Sequence, residues 1–320
     1  MTDIYRRITI ITRDGVAEKL PFSSSVMALG TFDGVHYAHR RLLIKARELK
    51  SKLSAQSVGV WCFQKSPASI LNESEALTLT QNDEKIKLLL ECGADFVVSA
   101  AFEDFRSMDA EAFAKDVLIS CLHSVGTACG YNHRFGNGGL GDPAMLESIF
   151  GKENTVTVPQ ITLEGEAVSS TAIRQHVMRG EIEIANKMLS RPLSFIAPVL
   201  SGKRLGRKIG FPTANQTLPR GFSAIRHGVY ATRCIFEDGQ VYFGVSNIGV
   251  RPSIISGDDH RVNAETYIIG FSGELYGKVL TLELHSYLRE EKIFSTLDEL
   301  KSAIEQDKIK TISFFNSQND

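Results

Sequence analysis

The chain has 320 residues, of which 43% are hydrophobic and 23% charged, and its formal net charge is −1. That composition belongs to a globular protein with room for about two domains, and near-neutrality gives no global pull toward nucleic acid or an anionic membrane, so an anionic ligand has to be met by particular loops. No apolar run approaches the roughly 18 residues of a membrane span, and MTDIYRRITIITRDG has neither the apolar core nor the cleavage site of a signal peptide.

In chain order, Val26–Gly30 is a short apolar run, and Leu42, Leu43, Ala46, Leu49 and Leu53 then recur at helical spacing through His39–Leu53. SVGVWCF (57–63) reads as a buried strand, Asp83–Cys92 as a helix closed by Gly93, and ADFVVSA (94–100) as the next strand. Asp109–Leu122 places Phe113, Val117, Leu118 and Cys121 on one helical face, and VGTACGY (125–131) follows as a strand. Repeated βα units with uniformly apolar strands predict a parallel sheet covered on both faces, with ligands beyond the carboxyl ends of its strands. Thr171–Arg179 and Glu181–Leu189 read as helices broken at Gly180. RPLSFIAP (191–198) ends the helical texture, and the boundary is set there, giving domains 1–190 and 191–320. Alternating strands follow, GVYATRCIF, QVYFGVSNIG, NAETYIIGF and KVLTLELHSYL, with turn residues between them, as in an antiparallel barrel. Ser295 with Asp298 suggests a capping box opening a helix over Thr296–Gln306, with Leu297, Leu300 and Ile304 as its apolar stripe. The five cysteines, Cys62, Cys92, Cys121, Cys129 and Cys234, lie in apolar runs and read as buried free thiols, not zinc ligands, in a cytoplasmic protein.

Five stretches carry chemistry. In GTFDGVHYAHRRLL (30–43) a strand turns through Asp33-Gly34 into a helix, where free N–H groups suit a phosphate. His36 and His39 there could donate to phosphoryl oxygens as charge develops in a pentacovalent transition state. The same spacing also suits two histidines that cap a helix and face solvent, and both readings stand. GNGGLG (136–141) matches the dinucleotide fingerprint letter for letter, yet it comes too late in the chain to open the first βα unit. It reads as a glycine-rich loop near a ligand or a plain solvent loop, and it is the sole support for an NAD-type oxidoreductase. VSSTAIR (168–174) offers a hydroxyl cap and, one turn on, Arg174 for a charge-assisted contact to phosphate; a plain helix cap fits it equally. SGKRLGRKIGFPTAN (201–215) interleaves Gly202, Gly206 and Gly210 with Lys203, Arg204, Arg207 and Lys208, a cationic loop able to wrap a polyphosphate. Pro212 then stiffens the chain so that Thr213 and Asn215 project on one side of an extended segment, where their oxygens are reasonable magnesium ligands. Finally, Glu265 stands in NAETYIIGF either as an exposed strand residue or as a general base for an alcohol.

The order G-T-F-D-G-V-H-x-x-H, G-Y-N-x-R-F-G, S-S-T-x-I-R, G-F-P-T-A-N, N-I-G-x-R-P and L-R-E-E resembles the bacterial bifunctional riboflavin kinase/FAD synthetase family over about Val26 to Asp307. The resemblance implies a nucleotidyltransferase-type parallel α/β domain that adenylylates FMN from ATP with release of pyrophosphate. It implies next a riboflavin-kinase-type antiparallel β-barrel with a C-terminal helix that phosphorylates the ribityl 5′-hydroxyl. Carried onto this chain, it places His36 and His39 at the ATP phosphates, with Gly30, Phe32 and Asp33 in the same ATP-binding corner. Asn132, Arg134 and Gly136 fall near flavin, and Ser170, Thr171 and Arg174 on phosphate. In the kinase, Gly202, Lys203, Gly206, Arg207, Gly210 and Pro212 border ATP, Thr213 and Asn215 hold Mg²⁺, Glu265 is the base and Arg289 lies in a flap over flavin. ATP is the co-substrate, riboflavin and FMN are the substrates, and no nucleic acid, membrane or obligate protein partner is implied.

The departures lie in the first half. Ala38 replaces the glycine of H-x-G-H, so that a Cβ stands where phosphate would approach the backbone. F-x-P-H-P has become FQKSP (63–67), with Ser66 for the histidine, and His133 stands where the family usually has an aromatic or apolar residue. Two alternatives follow: a riboflavin kinase with a lapsed adenylyltransferase site, and a flavin- or nucleotide-binding regulator without turnover.

Overall fold

The structure, a computed structural model, describes residues 2–65, 67, 70, 77–201, 210–250 and 262–318. The chain forms two compact units, Met1–Ser170 and Thr171–Asp320.

In the first unit seven strands form one sheet: β1 (Ile8–Thr12), β2 (Gly15–Ala17), β3 (Ser25–Leu29), β4 (Ser57–Phe63), β5 (Phe96–Ala100), β6 (Ser124–Gly130) and β7 (Thr155–Val158), in the order β2-β1-β5-β4-β3-β6-β7. The strands from β5 to β7 pair in parallel, and the β1–β2 hairpin adds an antiparallel edge. Every residue of β3 is buried, because both faces are covered. Val26 and Ala28 pack against Leu42, Leu43, Ala46 and Leu49 of the Tyr37–Lys52 helix and Ile86, Leu88 and Leu89 of the Asn82–Glu91 helix. Met27 and Leu29 pack on the other face with Phe105, Phe113, Val117, Leu118 and Leu146. Chain order runs outward from β3 through β4 and β5, then returns to β6 on β3's other side. β3 and β6 therefore flank the point where strand order reverses, which is where a doubly wound sheet opens a crevice beyond its carboxyl ends.

The second unit holds the helix that begins at Ser170 and runs to Arg179, the Ile182–Leu189 helix, and strands β10 (Leu193–Pro198), β11 (Thr213–Thr217), β12 (Gly228–Phe236), β13 (Val241–Val250), β14 (Val262–Ile268) and β15 (Val279–Arg289). A small hairpin, β8 (Thr162–Leu163) with β9 (Glu166–Ala167), precedes them in the first unit. The order β10-β15-β12-β13-β14-β11 is antiparallel throughout. The sheet curls until its ends meet. Leu200 N donates to Asn215 O at 2.7 Å, and the buried Gln216 amide donates to Ala197 O and Leu280 O at 2.8 and 2.9 Å, tying β11 to β10 and β15. The Leu297–Asn316 helix covers one face, its Phe315 stacked on Phe243 at 4.3 Å.

The parallel sheet, the antiparallel second sheet and the terminal helix are as the sequence predicts; several details differ. RPLSFIAP is the first strand of the second sheet, and the helical pair before it falls in the compact unit that begins at Thr171. The Phe113–Cys121 segment is π-helical after a short α-turn capped by Asp109, not one regular helix. The last helix is capped by Thr296, whose hydroxyl accepts from Glu299 N, while the Glu299 carboxylate returns to Ser295 N. It runs to Asn316, and Leu297 is exposed; its fully buried positions are Asp307, Thr311 and Phe315. Cys92 is half-buried, the other four thiols are buried, and no disulfide forms.

Candidate functional site

The corner after β3 is built from left-handed backbone. Phe32 (φ 53°), Gly34 (φ 82°) and Val35 (φ 41°) reverse the chain, and Phe32 and Val35 are fully buried, so core packing holds this conformation. Asp33 is spent inside: its carboxylate accepts from Leu79 N at 2.8 Å and its carbonyl from Ser170 Oγ at 2.9 Å. Phe32 and Asp33 thus shape the turn with their side chains, and the Ser170 hydroxyl donates into the same turn. Ala38, half-buried, is the second residue of the helix that follows.

His36 is the N-cap of that helix and is only 4% exposed. Its Nδ1 accepts from His39 N at 3.4 Å, so a neutral ring carries its proton on Nε2 and can donate there. The two imidazoles stack at 3.6 Å and 14°, with the Phe32 ring 4.9 Å from His39. The capping half of the plain reading holds, but the pair is not turned out to solvent. Burial, then the neighbouring charges of His36 and Lys85, hold the His39 pKa well below its usual value, and its Nδ1 is buried without a hydrogen-bond partner. Lys85, itself buried, donates to Phe63 O at 2.7 Å at the end of β4. No motif in the sequence singles out this lysine.

The loop after β6 lies across the strand-order reversal. Asn132 is exposed there, and Arg134 pairs with Asp142 at 3.3 Å, the N-cap of the Pro143–Phe150 helix. GNGGLG is a closed turn, bridged Phe135 to Gly141. A Cβ at Gly136 (φ 74°) would lie 2.5 Å from Ala110 Cα, and one at Gly141 would meet the Phe135 ring at 2.6 Å. These glycines answer to packing, and the helix that follows opens on its own Asp142 cap after the loop has closed. His133 stacks on Phe135 at 5.8 Å, and burial pushes its pKa down to about 4. Between that value and roughly 6.5 in the unfolded chain, the unfolded state binds more protons, so stability falls as pH drops through this window; the shift of His39 has the same sign. His133→Phe should therefore lose less melting temperature than the parent between pH 7.5 and pH 5. An equal loss in both proteins would clear His133 of the effect.

In the second unit, strand register assembles a row. Asn215 on β11 pairs with Glu265 on β14, and Glu265 pairs on its other side with Asn247 on β13. Ala264, Thr266 and Ile268 face the core at 0%, 1% and 5% exposure, so alternation puts Glu265 on the opposite face with Asn263 and Tyr267. Thr213, Asn215 and Thr217 share that face, and Thr217 Oγ1 bonds Asn263 Oδ1 at 2.6 Å. Gly210 (φ 88°) turns the chain into Phe211, whose ring meets Tyr267 edge-on at 5.1 Å, and Pro212 is exposed beside it. Asn247 is the residue that motif reading undervalued: N-I-G marks the spot, but only register shows it beside Glu265.

Other predicted positions are engaged elsewhere. Arg289 grips the buried Asp307 of the last helix through Nε and Nη2, the shortest contact being 2.8 Å. Arg174 Nη2 reaches Thr171 Oγ1 at 3.4 Å on the same helix. Gly202, Lys203, Gly206 and Arg207 lie outside the described residues, as do Ser66, Arg251, Pro252 and Ser253. Among the described residues no cluster of His, Cys, Asp and Glu could hold a metal, and no helix is long and apolar enough to cross a membrane.

Residues 19–172 match the family model described as FAD synthetase, and residues 189–315 the one described as riboflavin kinase. The bifunctional riboflavin kinase/FMN adenylyltransferase of Escherichia coli (strain K12) is 35% identical over 300 residues, 92% of this chain and 94% of that one. The chain belongs to this family. The Bacillus subtilis (strain 168) member of the bifunctional riboflavin kinase/FMN adenylyltransferases is 29% identical over 299 residues, again 92% of this chain and 94% of its own. A crystal structure of a Streptococcus pneumoniae protein named macrolide-efflux protein superposes with a TM-score of 0.82 at 26% identity, covering 91% of this chain and 94% of that one. The two family models fall on the two units whose crevice and polar row are described above.

Proposed function

We propose that the second unit transfers the γ-phosphoryl group of ATP to riboflavin and that the first transfers the adenylyl group of ATP to FMN, giving FAD. The observation that carries the kinase reading is the Asn215–Glu265–Asn247 row on three neighbouring strands. Phosphoryl transfer needs positioning and charge neutralisation more than covalent help. Glu265 takes the proton of the ribityl 5′-hydroxyl as its oxygen attacks the γ-phosphorus, and ADP leaves with the bridging oxygen. Thr213 and Asn215 share the face of this base. Their hydroxyl and amide oxygens suit a hard cation that keeps several waters, and an ion held there would neutralise charge on the ATP phosphates.

In the first unit a phosphate oxygen of FMN attacks the α-phosphorus of ATP and pyrophosphate leaves. His36 Nε2–H, fixed as a donor by the cap at Nδ1, stabilises the charge that develops on the phosphoryl oxygens. Asn132 and Gly136 border the crevice at the flavin side, and the phosphate roles of Thr171 and Arg174 rest on their motif alone. Arg134, paired with Asp142, and Arg289, paired with Asp307, keep the flavin-side roles that their motifs suggest.

The reading with a lapsed first site is not favoured. The FAD synthetase match spans that half, and the relatives named for both activities align over 92% of the chain. A regulator without turnover has no need of a carboxylate between two amides. The test is a chromatographic product assay with ATP and Mg²⁺, with riboflavin in one tube and FMN in another. FAD in both supports the proposal. FMN in the first and nothing in the second would remove the adenylyl step.

A further inference from the structure

Asn247 stands beside Glu265 as its register partner, and its Nδ2 donates to Glu291 Oε1 at 2.9 Å. The Glu291 carboxylate lies so close over Gly249 that a Cβ there would meet Oε1 at 2.5 Å, so glycine two residues on leaves room for this contact. A carboxylate only accepts, which fixes the face of the Asn247 amide: the nitrogen is used and the carbonyl is left over. That Oδ1 atom is buried and has no hydrogen-bond partner. A buried carbonyl without a donor is costly. This acceptor, held one strand from the base, is placed to take a donor that the substrate brings.

Resting on the kinase reading above, we propose that Asn247 Oδ1 accepts a hydrogen bond from a hydroxyl of the ribityl chain, and that Glu291 positions the Asn247 amide to do so. Glu265 separates Asn247 from Asn215 in the row. The cation side of the base is thus Thr213 and Asn215, and the alcohol side is Asn247. Asn247 becomes a determinant for the polyol, independent of the flavin ring.

The experiment uses the full chain and reads FMN formation, so that only the kinase site is sampled. Asn247→Leu should raise the KM for riboflavin about 5- to 100-fold, the range of one lost buried hydrogen bond, with the KM for ATP unmoved. The Ki of lumiflavin, which carries the same ring with a methyl in place of the ribityl chain, should not change. Glu291→Leu should raise the riboflavin KM less, and Glu291→Gln, whose amide oxygen still accepts from Nδ2, should reverse most of that rise; this pair carries the test if Asn247→Leu does not fold. An unchanged riboflavin KM, equal weakening of lumiflavin, or an effect on ATP instead would overturn the inference. Glu265→Gln run alongside separates the two levels. If it still makes FMN at the parent rate the kinase reading itself fails, whereas an inactive Glu265→Gln with a normal riboflavin KM in Asn247→Leu removes only the role of Asn247.

Discussion

Glu265→Gln should stop conversion of riboflavin to FMN, lowering its kcat about 10²- to 10⁴-fold, the usual worth of a positioned general base, while FMN is still converted to FAD. Glutamine matches glutamate in size, so β14 and its neighbours keep their register, and what is lost is the ability to take a proton. The carboxylate is half-buried, flanked by an asparagine on each adjacent strand, and Ala264 and Thr266 on either side in sequence are in the core. A strand fixed by buried residues on one face holds the residue on the other face within narrow limits. Because the two activities sit in separate compact units, the adenylyl step is an internal control for folding. Survival of FMN formation at near the parent rate would move the base elsewhere, and loss of both activities would point to damage to the whole chain.

How far the sequence discloses this molecule depends on whether a feature is local. β3, β4, β5 and β6 are short, mostly apolar runs followed by helical spacing, and that pattern is the physics of a strand buried on both faces. The β1–β2 hairpin escapes it, because ITIIT, next to the β2 edge, buries only one of its residues, Ile10. The last helix misleads for the opposite reason. Its inner face includes Asp307 and Thr311, polar residues whose burial depends on what they meet, and for Asp307 that partner is Arg289 on β15. Removing the partner of a buried charge is strongly destabilising, so Arg289, legible as part of L-R-E-E, first of all joins sheet to helix. Asp33 is a similar case: in a phosphate-like motif it reads as ligand, yet its carboxylate serves Leu79 N. Among the site residues, the histidine pair and Thr213 with Asn215 were legible from spacing. Asn247 and Lys85 were not, since strand register in one case and tertiary packing in the other bring them beside Glu265 and His39.

His36 carries the second large expectation, and it can be separated into two parts. His36→Ala should lower FMN adenylylation about 10²- to 10³-fold, as expected for one donor aimed at developing charge, and should also cost about 1 kcal/mol of stability through the lost cap. His36→Ser keeps an oxygen able to accept from His39 N but cannot reach as an imidazole does. It should recover the part of the melting temperature that the cap supplies and leave the adenylyl rate low, with riboflavin phosphorylation unaffected in both variants. The stacked pair makes this a demanding test, because His39 lies against His36 at 3.6 Å and would lose ring contact in either variant. A rate that recovers together with stability in His36→Ser would mean that the ring serves only to start the helix. A rate that stays low in a protein of parent stability leaves the Nε2 proton as the difference between them, and gives the crevice beyond β3 its chemistry.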